Sequence, residues 1–114
     1  MNNLEPQFLR RFNVRAIIGK GGMSRPTVDA MQEMGAVYLA ITGGAAVVAA
    51  RGVSEVKGVH WLEMGMPEAM WVLEGDDFGP MTVAIDAHGN SLFEAIDAEV
   101  ERNVPSIKQK LGLD

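Results

Sequence analysis

The sequence predicts an α/β fold, a mixed sheet flanked by helices, and three observations carry that prediction. Two short runs rich in branched and small apolar residues, VRAII (residues 14–18) and AVYLAI (residues 36–41), each lead through glycines into a helical pattern. Helix starts and stops are marked by Ser, Pro and Gly in the expected places. The second half instead sets strand-like runs between turn residues. A chain of 114 residues can bury one core, so residues 1–114 are read as one domain.

Leu4, Phe8, Leu9 and Phe12 recur at helical spacing and predict an amphipathic first helix. VRAII follows as a buried strand, and then the loop Gly19-Lys20-Gly21-Gly22. Ser24 is placed to cap a helix over residues 26–34, with Pro26 in its first turn and Gly35 as its stop. AVYLAI is the second strand, Thr42-Gly43-Gly44 the second glycine loop, and residues 45–51 a short helix stopped by Gly52. Consecutive β-α-β units are right-handed and parallel, so both glycine loops are expected at the carboxyl edge of one sheet. GVHWLE, AMWVLEG and GPMTVAID then read as strands. Ser91 and Glu94 form a capping-box pattern for a helix towards Arg102 that Pro105 is expected to break. The eight methionines are expected to fill the core.

Bulk properties exclude several function classes. A net charge of −5 opposes broad binding to nucleic acid, which needs a basic face. The first twelve residues lack the apolar core of a signal peptide, and the longest apolar run, residues 45–50, is too short to span a bilayer. A cytoplasmic protein is expected. The chain has no cysteine, so it can supply neither a thiol nucleophile nor thiolate ligands.

Among candidate sites the Lys20 loop stands first. Backbone amides at a helix start favour an anion, and a lysine adds a full positive charge suited to a carboxylate or phosphate. The pattern is neither a Walker loop nor a complete dinucleotide fingerprint, since Ser24 stands where a third glycine belongs. A tight turn with an exposed lysine is the competing structural explanation. Thr42 and Gly43 could share the pocket, or could simply let a small-residue helix pack closely. Asp86-Ala87-His88-Gly89-Asn90 places a carboxylate and an imidazole at a strand exit. Local turn hydrogen bonds are expected for Asp86 and Asn90, with His88 left open. His60 is read as structural, and Glu68 lies in a Met-Pro-Glu turn without evident chemistry.

Four motifs in order, GKGGM, GAVYLAITGGAA, VHWLEMGMPEAMW and IDAHGNSL, resemble the C-terminal domain of class I fumarate hydratases and the β subunit of iron–sulfur L(+)-tartrate dehydratases. The resemblance implies a swivelling β/β/α module that packs over an α subunit or N-terminal domain. That partner would hold a four-iron, four-sulfur (4Fe–4S) cluster, with none bound by this chain. It implies a hydro-lyase adding water to fumarate, with tartrate dehydration as the alternative and a non-catalytic dicarboxylate- or partner-binding module as a third possibility. The segment around Phe78-Gly79-Pro80 resembles the tartrate branch. By the same resemblance Lys20, with Gly19, Gly21, Gly22, Thr42 and Gly43, would bind a substrate carboxylate. The family's catalytic threonine and a substrate-binding arginine would fall upstream of Met1. The chain is thus expected to lack the front part of the module, to be N-terminally truncated, and to hold no catalytic residue or metal ligand of its own. Exposed apolar edges would follow, and with them homo- or hetero-oligomers.

Overall fold

A computed structural model describes residues 3–41 and 46–113. It contains both helices and mixed sheets, as expected for an α/β chain. Contacts divide the chain into two compact units, Met1–Ala40 with Thr82–Asp114, and Ile41–Met81.

In the first unit, α1 (Glu5–Phe12) starts with Pro6 in its first turn and ends at Asn13, which adopts the left-handed conformation (φ 51°). Of its apolar residues only Leu9 is buried; Phe8 and Phe12 stay outside, their rings 4.9 Å apart. β1 (Ala16–Gly19) follows, and then α2 (Arg25–Met34). Gly35, at φ 63°, stops α2: its amide donates to the Gln32 carbonyl at 3.3 Å and the Ala36 amide to the Met31 carbonyl at 2.8 Å. The Arg15 guanidinium donates to the Met34 carbonyl and secures the same end. β2 (Val37–Ala40) runs parallel to β1, with Ala16 opposite Val37 and Gly19 opposite Ala40. Parallel pairing through a helical crossover is what the β-α-β pattern predicts.

The unit's third strand, labelled β5 below for its place in the chain (Thr82–Ile85), pairs antiparallel on the far side of β2. Leu9, Val28, Ala30, Met31, Ala36, Tyr38, Ala84 and Ile85 form the core between this sheet and the pair α1 and α2. Arg10 and Glu33 bridge those two helices at 2.7 Å on the surface, where such a pair adds at most about 1 kcal/mol.

The last helix, α4 (Leu92–Leu111), corrects an expectation. It runs unbroken through Pro105. One missing N–H and one crowded carbonyl cost about 3 kcal/mol in a helix interior, and that cost does not end this helix. Its start is as expected: the Ser91 side chain accepts from the Glu94 amide at 3.4 Å. The reciprocal half of the capping box is not made, because the Glu94 carboxylate accepts from Arg25 instead, at 3.0 Å.

The second unit is α3 (Ala46–Arg51) and the antiparallel hairpin of β3 (Val53–His60) and β4 (Met70–Gly75). β3 begins earlier than expected and stops at His60, because Trp61 turns left-handed (φ 60°) and residues Leu62–Met64 form a 3-10 turn rather than strand. At the open end the Asp76 amide donates to the Gly52 carbonyl at 2.9 Å. A Cβ on Gly75 would lie 2.6 Å from that oxygen, so the position requires glycine. Every residue of β4 is exposed. The methionines accordingly divide: Met31 is buried and Met23 and Met34 line the core, whereas Met64, Met66 and Met70 are exposed.

Ser91→Ala removes the one side-chain cap at the head of α4. We expect a loss of about 1 kcal/mol, seen as a lower thermal midpoint with unchanged helical content by circular dichroism below the transition.

Candidate functional site

Gly19 and Ala40 face each other at the ends of the two parallel strands, so the Lys20 loop leaves the carboxyl edge of the sheet and enters α2. Each of its glycines answers a different demand. A Cβ on Gly19 would approach the Tyr38 hydroxyl and ring at 3.2 and 3.3 Å. Gly21 has φ 78° and open space around it, so its constraint is backbone conformation. A Cβ on Gly22 would lie 3.3 Å from the Phe93 ring. Two of the three glycines therefore serve close approach of other parts of the chain.

Tyr38, wholly buried in β2, donates from its hydroxyl to the Gly21 carbonyl at 2.9 Å and so holds the loop from beneath. Burial, reinforced by the negative charge of Glu5, holds the Tyr38 phenol above its ordinary pKa. Ser24 is extended (φ −72°, ψ 155°), and its carbonyl accepts from the amides of Thr27 and Val28. Its side chain makes no cap hydrogen bond and lies 3.3 Å from the Thr27 hydroxyl instead. Arg25, the first helical residue, is held by Asp29 at 2.8 Å and Glu94 at 3.0 Å. Both bonds raise its pKa, Glu94's more than Asp29's.

Lys20 itself is exposed, and among the described residues nothing pairs with its ammonium. Two cavities stand out elsewhere. One of about 370 Å³ is lined by Leu4, Glu5, Phe8 and Ile17, and one of about 310 Å³ by Val53, Leu73, Gly75 and Phe78. Lys20 lines neither. The Lys20 side chain is exposed at the edge of the sheet. Thr42 and Gly43, the other candidate site residues, lie outside the described residues.

The Asp86 turn sits elsewhere. Tyr38 pairs with Ile85 and Ala40 with Thr82, so β5 ends at the amino end of β2, opposite the edge that carries Lys20. Asp86 accepts from the His88 and Asn90 amides at 2.9 Å each and from the Asn90 side chain at 2.7 Å. These bonds, Asn90's foremost, hold its carboxyl below the usual range. Asp86 and Asn90 are thus turn residues, as expected, and His88 is exposed beside them. His60 is likewise exposed, its ring 6.5 Å from that of Trp61. Sequence reasoning did not single out Tyr38, Phe93 or Arg25 as supports of the loop. Only Arg25 left a signal, the i,i+4 spacing to Asp29.

Metal-site chemistry is absent from the described residues, which bring no three His, Cys, Asp or Glu side chains together. With no cysteine in the chain, these residues do not fit an iron–sulfur cluster. No described helix is long and apolar enough to cross a membrane.

Fold and loop define a class: an α/β module offering a lysine-bearing glycine turn at the carboxyl edge of parallel strands. The chain belongs to the fumarase C-terminal family, whose model matches residues 1–96. It is 46% identical over 101 residues to a Methanocaldococcus jannaschii protein provisionally named L(+)-tartrate dehydratase subunit beta, a match covering 88% of this chain and 52% of that one. It is 39% identical over 110 residues to the L(+)-tartrate dehydratase subunit beta of Escherichia coli, covering 96% and 55%. A Geobacillus stearothermophilus protein provisionally named fumarate hydratase class I is 44% identical over 101 residues, covering 89% of this chain and 20% of that protein. The chain thus spans about half the length of the curated tartrate dehydratase relatives it matches.

Tyr38 is the chain's one tyrosine, so tyrosinate absorbance reports it alone. It should titrate above the ordinary phenol value of about 10. Because the folded state raises this pKa, its contribution to stability is intact below about pH 10 and is lost as pH rises through the folded value. Tyr38→Phe leaves the Gly21 carbonyl without its donor and is expected to cost about 1 kcal/mol, measured by urea denaturation at neutral pH.

Proposed function

We propose that the chain is the substrate-carboxylate-binding part of a hydro-lyase acting on a four-carbon dicarboxylate, with fumarate and malate as its substrates. Family membership supports the reaction class, and the exposed Lys20 at a helix-start loop, without an ion pair among the described residues, is the observation that carries the residue-level proposal. The ammonium would neutralise one substrate carboxylate, while the glycine backbone would let that carboxylate come close to the start of α2. Gly19, Gly21 and Gly22 belong to the same contact, and Thr42 with Gly43 would complete it from the second glycine loop.

An iron–sulfur cluster, where present, would supply a Lewis acid for the substrate hydroxyl. It would be held by an α subunit or N-terminal domain, since this chain has no thiolate to offer. This chain's own work is to bind and orient; alone it is expected to give no turnover. Tartrate dehydration is the second proposal, favoured by the names of the relatives that match at 46% and 39%.

The test is anaerobic reconstitution with the cluster-bearing partner, followed by fumarate hydration and L-tartrate dehydration assays. Lys20→Ala should raise KM for the preferred acid roughly tenfold to a hundredfold, the loss of one charge-assisted contact. Unchanged KM in Lys20→Ala would remove the lysine from the site. No turnover from the reconstituted wild-type pair with either acid would leave a non-catalytic binding module.

A further inference from the structure

We propose that α4 is a self-association surface, on which two copies of this chain pair their last helices antiparallel about a two-fold axis near residues 101 and 102. Leu92, Ile96, Val100, Val104, Ile107 and Leu111 are each between 37% and 65% exposed. Counted at about 100° per residue, they fall within one third of the helix circumference and make a continuous apolar stripe. No residue of α4 is buried within the chain; only Phe93, at its head, packs against the core.

The order of the stripe selects the occupant. It reads Leu, Ile, Val, Val, Ile, Leu, the same in both directions. An antiparallel copy therefore sets Leu92 against Leu111, Ile96 against Ile107 and Val100 against Val104, each contact made twice. That is the self-complementarity an isologous two-fold interface requires. Asn103, inside the stripe near its middle, would fall beside Val100 of the copy in this register, one polar group close to the two-fold axis.

Charge points the same way. The first half of α4 carries Glu94, Asp97, Glu99 and Glu101, and the second half Arg102, Lys108 and Lys110. Asp97 and Lys108 border one side of the stripe, Glu99 and Lys110 the other, and among the described residues none of the four makes an ion pair. Antiparallel helices face like flank to like flank, so Asp97 meets the flank of Lys108 in the copy, and Glu99 the flank that ends in Lys110. A parallel pair would stack acid on acid at one end and base on base at the other. Pro105 points away from the stripe, about 160° around the helix from its centre, so the missing N–H does not lie in the contact.

Sedimentation and light scattering on the 114-residue chain test the pairing. A mass of two chains is expected at about 100 μM, in the range of modest interfaces. Ile96→Glu and Ile107→Glu, both at exposed positions, should give monomers with unchanged circular dichroism. Asp97→Lys with Glu99→Lys should weaken pairing about tenfold, and adding Lys108→Glu with Lys110→Glu should restore it. Because the chain lacks cysteine, a mixture of Leu92→Cys and Leu111→Cys proteins should form mixed disulfides. A monomer at that concentration, a dimer indifferent to the α4 variants, disulfides only within each single variant, or a stripe protected from exchange only when a cluster-bearing partner is added would each overturn the proposal.

Discussion

The Lys20 loop rests on one buried phenol. Tyr38 occupies the middle strand of its sheet, fills the space beneath Gly19 and donates to the Gly21 carbonyl. Without that donor the turn at Gly21 would lose its side-chain anchor from the core. Phe93 then closes on Gly22 from the head of α4, and Arg25 ties the head of α2 to Glu94. Three elements of the first unit thus converge on five residues of loop. The lysine between the first two glycines is free to point outward because its neighbours are held from below.

Burial is distributed unevenly. The first unit gathers its core under α1, α2 and three strands, whereas β4 exposes every residue and α4 buries none. Met70, Trp71, Val72 and Leu73 form an uninterrupted exposed run. Isolated surface hydrophobics need no explanation, but continuous ones mark surfaces that bind. The cavity lined by Leu4, Phe8 and Ile17 with Glu5 is largely apolar in the same way. Such surfaces suit a chain that spans about half the length of its tartrate dehydratase relatives and belongs to a family whose named members include a β subunit. The core that exists is enough to order the loop; the bare faces are where further chains would gain most by docking.

Where local chemistry decides, the structure is legible in the residues alone. Gly35 stops α2 because only a left-handed residue ends a helix that way, Ser91 caps α4 because its hydroxyl can reach the Glu94 amide, and the two glycine-flanked apolar runs pair in parallel because a helix connects them. Where tertiary context decides, it is not. Nothing local says that Gly19 makes room for a tyrosine nineteen positions on or Gly22 for a phenylalanine seventy-one on, and free backbone for a ligand is an equally good local explanation. Nothing local says that Trp61 turns left-handed and ends its strand early, or that three methionines near the hairpin find no core to fill. Pro105 misled for the opposite reason. A local rule of about 3 kcal/mol does not decide where a helix of twenty residues ends.

The open setting of Lys20 carries its own consequence for recognition. A carboxylate about 4 Å from an ammonium gains only about 1 kcal/mol in water, and about 4 kcal/mol where protein surrounds the pair. A surface lysine screened by solvent would therefore hold a dicarboxylate too weakly to discriminate among four-carbon acids. Glycine backbone and a helix start add donors that act only at short range and only when water is kept out. The same loop under a covering surface would grip tightly without any change in its own geometry. If Lys20 holds a substrate carboxylate as proposed, discrimination among four-carbon acids would come from whatever surface covers the loop rather than from the ammonium itself.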